Sequence, residues 1–391
     1  MLVSVLGVAT AARALRPQLD APAPVAPQDA QQYVKLEGEL RSYVVHLPLG
    51  YNAGSKYPLV LLLHGADQNA QDVARFTRFD FLSDRYGFIG FYPNSDDVTW
   101  NIGVPPTPLK PSRRRKGRGN SDTNDDEDDP GLNFPKFPTF FVSPGASRDQ
   151  EQDGHAQNLL TQGGPTLDGQ AQGGQPQGKP ASQDTRYLGD VPFFNAMLDK
   201  LAADYSVDAH RIFVTGYSDG GMMAFRLGCS MSTRVAAIAP VASAMPKTMA
   251  DGCQPSRAIP LLMINGAADP GVPYGGGIAK GAGVVTLSAQ ASAETWAKLD
   301  RCEPRPIQSV LPRGDKQKPT IRIDAYSDCG SGAEVILYTI DGGGSTWPGG
   351  DQSATPAAKK AGKTGTDLDA GELVWKFFSA HPLPPASSAQ N

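Results

Sequence analysis

No stretch of the chain approaches the roughly 18 consecutive apolar residues that a membrane-spanning helix needs, so no integral membrane association is expected. Charge of one sign is lacking as well. The 36 Lys and Arg nearly balance the 40 Asp and Glu, leaving a net charge of −4 and no global field that would favour nucleic acid. Cysteine is scarce. Four in 391 residues are too few for a disulfide-built miniprotein, and none forms the C-x-x-C pair that structural zinc sites use. Glycine and proline are plentiful instead, at 43 and 34 residues. They show no collagen-like period and imply many turns and a segment that does not pack.

The cysteines, Cys229, Cys253, Cys302 and Cys329, fall in two successive pairs of similar, intermediate spacing. That pattern suits two local disulfides of an exported protein, and equally four buried thiols of a cytosolic one. The N-terminus favours export. Leu2 to Ala11 are mostly apolar and small, and Ala12-Arg13-Ala14 fits a small-x-small cleavage pattern, although no basic residues precede it. The following residues, Leu15 to Gln32, are rich in Pro, Ala and Gln and read as a linker. Residues 1–32 are therefore expected to be a signal peptide and leader, residues 382–391 a flexible tail, and the protein secreted, extracellular or periplasmic.

Between these ends the chain alternates strand and helix patterns. Val34–Leu36 and Ser42–Leu47 read as antiparallel strands joined by a turn at Gly38. Pro58–Leu63 is an unbroken apolar run, as expected of a parallel strand buried on both faces. Val73–Tyr86 carries helical spacing, and Phe88–Tyr92 reads as a strand ended by Pro93. The rhythm stops near Val104 and resumes near Tyr187. The interval holds Arg113–Lys116, then Asp125–Asp129, then a Gln/Gly/Pro-rich tail, so residues 104–186 are expected to be a low-complexity, disordered insertion. Its basic run could bind an acidic polymer or simply pair with the acidic run that follows. Afterwards come a helix at Val191–Tyr205, strands at Arg211–Thr215, Val235–Val241, Ile259–Ile264 and Glu334–Ile340, and helices at Gly220–Leu227, Ser288–Leu299 and Asp369–Phe378. Such alternation predicts one α/β domain over residues 33–381.

Three loops carry the chemistry. Gly216-Tyr217-Ser218-Asp219-Gly220 is a G-x-S-x-G set between a strand and a helix. A sharp turn there needs small residues on both sides and lifts the Ser218 hydroxyl above the sheet edge, beside the N–H groups that begin the helix. His64-Gly65-Ala66 directly follows a buried strand. In such a layout this loop supplies an oxyanion donor, so the N–H groups of Ala66 and Asp219 are the expected oxyanion hole and His64 a structural residue. Asp269 follows another strand, downstream of Ser218, where the acid of a serine hydrolase is required in chain order. The alternative for Asp269 is an ordinary turn residue before Pro270.

These residues resemble the polyhydroxybutyrate-depolymerase-like esterases, a group that also includes feruloyl and acetylxylan esterases. The likeness runs from about Val44 to Phe378, the insertion aside. It lies in Leu63-His64-Gly65, Gly87-Phe88 to Tyr92-Pro93, Trp100-Asn101, Arg211 to Ala224, Ala268-Asp269-Pro270 with Val272-Pro273-Tyr274, and Gly342-Gly343-Gly344 with Thr346-Trp347-Pro348-Gly349. The resemblance implies an α/β-hydrolase fold, with a mostly parallel central sheet and helices on both faces. It implies pairing of Cys229 with Cys253 and of Cys302 with Cys329, and no metal or organic cofactor. A monomer acting on an ester or polyester is expected. The substrate would be polyhydroxyalkanoate oligomers or feruloyl or acetyl esters, with Trp100 and Trp347 lining the acyl site or packing the scaffold.

One position departs from the pattern. The family's last motif reads Gly-Gly-His-Thr-Trp-Pro-Gly, and here Ser345 stands where that histidine, the general base, belongs. A serine hydroxyl has no basic nitrogen to take the proton of Ser218. The chain's five histidines are His46, His64, His155, His210 and His381, and none sits in the required loop. Losing a triad histidine typically leaves only about 10³–10⁴-fold acceleration over water. The expected activity is thus a serine carboxylic-ester hydrolase impaired at its base. The competing readings are a non-catalytic ester- or polymer-binding protein and a peptidase on the same fold.

Overall fold

Residues with apolar runs and no alternation form the centre of a sheet, and everything else is arranged around that fact. The computed structural model describes residues 29, 31–36, 38–104, 189–311, 320–354, 361–362 and 368–384. Almost all of the expected leader, residues 105–186 of the expected insertion and the tail beyond 384 lie outside the described residues.

The strands are β1 (Gln31–Leu36), β2 (Glu39–His46), β3 (Tyr57–Leu63), β4 (Ile89–Pro93), β5 (Val207–Tyr217), β6 (Ala237–Val241), β7 (Leu261–Gly266), β8 (Gly277–Ile278), β9 (Val285–Thr286), β10 (Ile307–Val310), β11 (Ile321–Tyr326) and β12 (Val335–Ile340). The helices are α1 (Ala70–Thr77), α2 (Phe79–Tyr86), α3 (Val191–Asp204), α4 (Asp219–Ser230), α5 (Lys247–Ala250), α6 (Ala289–Leu299) and α7 (Ala370–Ala380). Among the described residues ten strands make one sheet in the order β1-β2-β4-β3-β5-β6-β7-β12-β11-β10, while β8 and β9 pair separately. From β4 to β12 the neighbours run parallel, and antiparallel strands close both margins.

Burial explains this order. All five residues of β4 and β6 and all six of β7 are buried, so these strands must be covered on both faces. One apolar cluster lies under α3, α4 and α6, with Phe194, Met222, Phe225 and Trp296 among its members. The other lies under α1, α2 and α7, with Phe76, Phe79, Val374 and Phe378. A mostly parallel, twice-covered sheet in this strand order is the α/β-hydrolase fold.

Two features differ from the sequence reading. The helix expected over Val73–Tyr86 is broken at Arg78, whose left-handed backbone (φ 59°) ends α1 and starts α2. Strands β10 and β11 add an antiparallel margin where no strand was read. All four residues of β10 are exposed, so it offers no apolar run to find.

The described residues break off after Val104 and resume at Gly189. The two ends are stapled. Asp190 N–H donates to the Asn101 carbonyl at 2.8 Å, and Asn101 N–H donates to Asp190 Oδ2 at 3.0 Å. Arg41 holds the other oxygen of Asp190 at 3.0 Å. Gly189 has a positive φ of 56°, and a Cβ there would lie 2.1 Å from the Asn101 carbonyl oxygen, so only glycine fits.

Candidate active site

Register places the site. Leu63 pairs with Gly216, Tyr217 with Val241, and Ile340 with Gly266. The carboxyl ends of β3, β5, β7 and β12 therefore finish together, and the loops that follow them meet at one edge. That edge is where α/β sheets bind ligands.

After β5 the backbone turns sharply at Ser218, with φ 57° and ψ −118°, before α4 begins at Asp219. This is a strained conformation for a residue bearing a side chain. Its surroundings enforce it: a Cβ on Gly216 would lie 2.5 Å from the Gly220 carbonyl carbon and oxygen, and one on Gly220 would lie 2.3 Å from the Leu63 oxygen. The Ser218 N–H donates to the Val241 carbonyl at 3.0 Å, anchoring the turn to β6.

The loop after β3 is braced at nearly every amide. Gly65 N–H donates to Gln68 Oε1 at 2.9 Å, and Asp67 N–H donates to the Val98 carbonyl at 3.2 Å. Ala66 lies between them, and its amide favours the charged form of the buried Asp219 carboxylate. His64 is 1% exposed, with Nδ1–H on the Gly65 carbonyl at 2.9 Å and Nε2 accepting from Ser95 N–H at 3.1 Å. Burial lowers its pKa, and both ring nitrogens are engaged by backbone. His64 is thus a neutral, structural ring with no nitrogen free for proton transfer.

After β7, Asp269 is buried. Its Oδ1 accepts from Gly271 N–H at 2.7 Å and Val272 N–H at 2.9 Å, while Oδ2 has no hydrogen-bond partner. Burial raises its pKa; the two amides and the neighbouring Ser345 hydroxyl act in the opposite sense. After β12, Gly343 and Gly344 pass so close to Gly266 that a Cβ there would sit 2.3 Å from their oxygens. The turn delivers Ser345 next to Asp269, and the open side of Gly271 lies against both, 3.4 Å from Asp269 Oδ1 and 3.5 Å from Ser345 Oγ at its Cβ position. Tyr217 completes the contact, its hydroxyl donating to the Ser345 carbonyl at 2.6 Å. The phenol went unweighted in the sequence because it is the variable position of the elbow motif.

The two tryptophans part company. Trp347 is fully buried, edge-on to Phe79 with ring centroids 5.8 Å apart, in the apolar cluster beneath α1, α2 and α7. It packs the scaffold, one of the two roles expected of it. Trp100 donates through Nε1 to the His64 carbonyl at 2.9 Å and forms one wall of a cavity of about 810 Å³, together with Arg41, Phe193, Ala282 and Val284. The cavity abuts the site: Gly281, next to Ala282, has its Cβ position 2.8 Å from the Ala66 Cβ.

Both cysteine pairs are bridged, Cys229 to Cys253 and Cys302 to Cys329. The first ties the end of α4 to the loop after α5. A polar cluster away from the site also escaped the sequence reading: buried His46 bonds Asp29 at 2.9 Å and Asp84 at 3.1 Å, with Asp80 at 3.8 Å. Among the described residues no helix is long and apolar enough to cross a membrane.

Comparison with known proteins adds to this geometry. A family model described as esterase PHB depolymerase matches residues 41–100, and one described as phospholipase/carboxylesterase matches residues 184–311. Feruloyl esterase B of Piromyces equi is 32% identical over 160 residues, 40% of this chain and 28% of that protein. Feruloyl esterase C of Emericella nidulans is 29% identical over 192 residues, 49% of this chain and 58% of that one. Feruloyl esterase D of Neurospora crassa is 23% identical over 345 residues, covering 88% and 83%. The first of these is matched over less than a third of its length. An acetyl xylan esterase structure from Aspergillus awamori aligns with a TM-score of 0.47 at 13% identity, covering 81% of this chain and 94% of that one.

Proposed function

The chain belongs to the PHB depolymerase/feruloyl esterase-like family, and from that premise we propose that it is a carboxylic-ester hydrolase with Ser218 as its nucleophile. The observation that carries this reading is the strained turn at Ser218, held by glycines that no other residue could replace. Strain of this kind collects where a side chain must be presented for reaction.

In this mechanism Ser218 Oγ bonds to the ester carbonyl carbon, and the carbonyl oxygen, now negative, is received by the Ala66 and Asp219 N–H groups. Collapse expels the alcohol and leaves an acyl-serine that water then hydrolyses. A base must take the Ser218 proton and return it to the leaving alcohol, and position 345 is the place for it, oriented by Asp269. The buried, unpartnered Asp269 Oδ2 is an acceptor set for a ring N–H that Ser345 does not supply. As it stands the chain is a slow esterase. The cavity beside Trp100 offers its mixed polar and apolar wall to the larger half of a feruloyl, acetyl or polyester substrate. Two disulfides fit a secreted protein.

The test is turnover of p-nitrophenyl acetate and butyrate by this chain beside its Ser345→His variant. A gain in kcat of about 10²–10⁴-fold is expected, abolished by adding Ser218→Ala. Turnover by the unmodified chain at ordinary rates of about 1–10³ per second would show that another group serves as base. A second reading follows from the same orphaned Asp269 oxygen: an ester-binding protein that retains its ligand. Saturable binding of a feruloyl ester, with no acyl-serine formed even after Ser345→His, would favour it.

A further inference from the structure

Asp269 and Ser345 are each only 7% exposed. The Gly271 and Val272 N–H groups take up Asp269 Oδ1, while Oδ2 is buried and meets no donor among the described residues. A carboxylate oxygen shut away from water without a donor is costly. Ser345, whose side chain ends at Oγ, does not satisfy it. The space beside the pair is gauged at Gly271. A Cβ there would lie 3.4 Å from Asp269 Oδ1, 3.5 Å from Ser345 Oγ and 4.0 Å from Ser345 Cβ. Its own chain neighbours aside, no described atom comes closer.

We propose that Asp269 Oδ2 and the space beside Ser345 bind a neutral imidazole-class base from outside the chain, free or carried by the ester, which deprotonates Ser218. The proposal rests on the esterase reading of Ser218. The chemistry of the orphaned oxygen selects the class. A neutral imidazole offers an N–H donor and a lone pair on one small ring. An ammonium group has donors but no lone pair, and a carboxylate would meet Asp269 as a like charge.

One ring nitrogen donates its N–H to Asp269 Oδ2, which leaves the lone pair of the other for the serine. As Ser218 Oγ bonds to the carbonyl carbon, its O–H bond breaks and the proton passes to that lone pair. The carbonyl oxygen carries the negative charge. When its double bond re-forms, the bond to the leaving oxygen breaks, and the cationic ring returns the proton to the leaving alcohol. Water repeats the sequence on the acyl-serine, and the base departs unchanged. The chain is then a conditional esterase, fast only where such a base is at hand.

The experiment follows acetylation of Ser218 by p-nitrophenyl acetate against imidazole concentration at about pH 8, where the ring is mostly neutral. Mass spectrometry locates the acetyl group, and Ser218→Ala measures the direct reaction of imidazole with the ester, which is subtracted. A saturable gain of tenfold or more is expected in the unmodified chain, and a larger one in Ser345→Gly. It falls short of the full 10²–10⁴-fold of about what a positioned base supplies, because a free ring loses entropy on binding. 4-Methylimidazole, which keeps the ring N–H, should match imidazole; 1-methylimidazole, which lacks it, should give no saturable gain. Asp269→Asn should lose the gain. So should Gly271→Ala, whose methyl fits in ordinary contact and takes the space of the ring.

A second arm, without free imidazole, compares the p-nitrophenyl esters of imidazol-4-ylacetic and phenylacetic acid. A preference of tenfold or more for the first, lost in Asp269→Asn, identifies the ester as the source of the base. No gain in either arm overturns the proposal. So does a gain that never saturates, that 1-methylimidazole equals, or that survives both Asp269→Asn and Gly271→Ala. If Ser345→His is rapidly acetylated at Ser218 in that event, the esterase reading stands; if no form is acetylated, both fall. Should Asp269→Asn not fold, Gly271→Ala and the methylimidazole pair decide.

Discussion

Tyr217 grips Ser345. Its hydroxyl lies 2.6 Å from the Ser345 carbonyl oxygen and 3.2 Å from Oγ, bridging the elbow strand to the loop after β12 across the mouth of the site. The side chain preceding the nucleophile therefore sets where position 345 sits relative to it. In the Ser345→His background, Tyr217→Phe keeps the ring that packs against Gly65 and removes only this tether. A stability loss of about 1 kcal/mol is expected, together with a several-fold fall in kcat and little change in KM. Steady-state kinetics beside a urea titration check it; an unchanged kcat would show that the loop holds its place without the phenol.

His46 gives the fold a pH limit on the alkaline side. Burial disfavours its charge, but Asp29, Asp80 and Asp84 outweigh that and raise the ring to about 9. Unfolded, it titrates near 6.5. Below about 6.5 both states are protonated and the ion-pair stabilisation is complete. Between there and about 9 the unfolded chain gives up its proton while the folded one keeps it, so stability falls as pH rises, by on the order of 3 kcal/mol. Chemical denaturation across that window should show the decline, and His46→Gln should flatten it. An equal slope in the variant would place the pH dependence elsewhere.

Trp347 should behave as a core residue. Trp347→Ala is expected to cost about 3–5 kcal/mol, read as a lowered denaturation midpoint. The preference between acetyl and butyryl esters should stay the same in the folded protein. A change in that preference with stability intact would return the residue to the substrate site.

The staple between Asn101 and Asp190 predicts that residues 105–188 can be replaced by a short Gly/Ser bridge, with the unfolding midpoint shifting by only a few degrees. Differential scanning calorimetry measures this. A collapse of the transition would show that the replaced segment contributes to the core.

Much of this architecture was readable because the centre of the sheet is written in unbroken apolar runs. Leu59–Leu63 and Leu261–Ile264 admit no solvent-facing side, and the turns that follow them carry the reactive residues. What escaped reading was marked by small or context-dependent signals. Arg78 breaks a helix whose apolar spacing continues across it, because Phe76 and Phe79 are both buried on either side of the kink. Trp347 looked like a binding residue from its motif, yet a tryptophan's role follows from which face of the sheet its loop turns toward. The His46 cluster joins residues from the N-terminal segment, β2 and α2, and no local pattern links them. The Asp219 carboxylate is hidden for another reason: the motif explains its backbone and says nothing of its side chain.

The adjacency of Asn101 and Asp190 also has an evolutionary meaning. Because the entrance and exit of the interval are hydrogen-bonded to each other and to Arg41, the sheet sees the same two fixed ends whatever lies between them. Loop-closure entropy grows only logarithmically, about 0.6 kcal/mol for each doubling of length. The fold therefore carries a docking port at its rim, next to the cavity wall formed by Trp100 and Arg41. A lineage could lengthen, recompose or exchange the intervening sequence there without renegotiating the core.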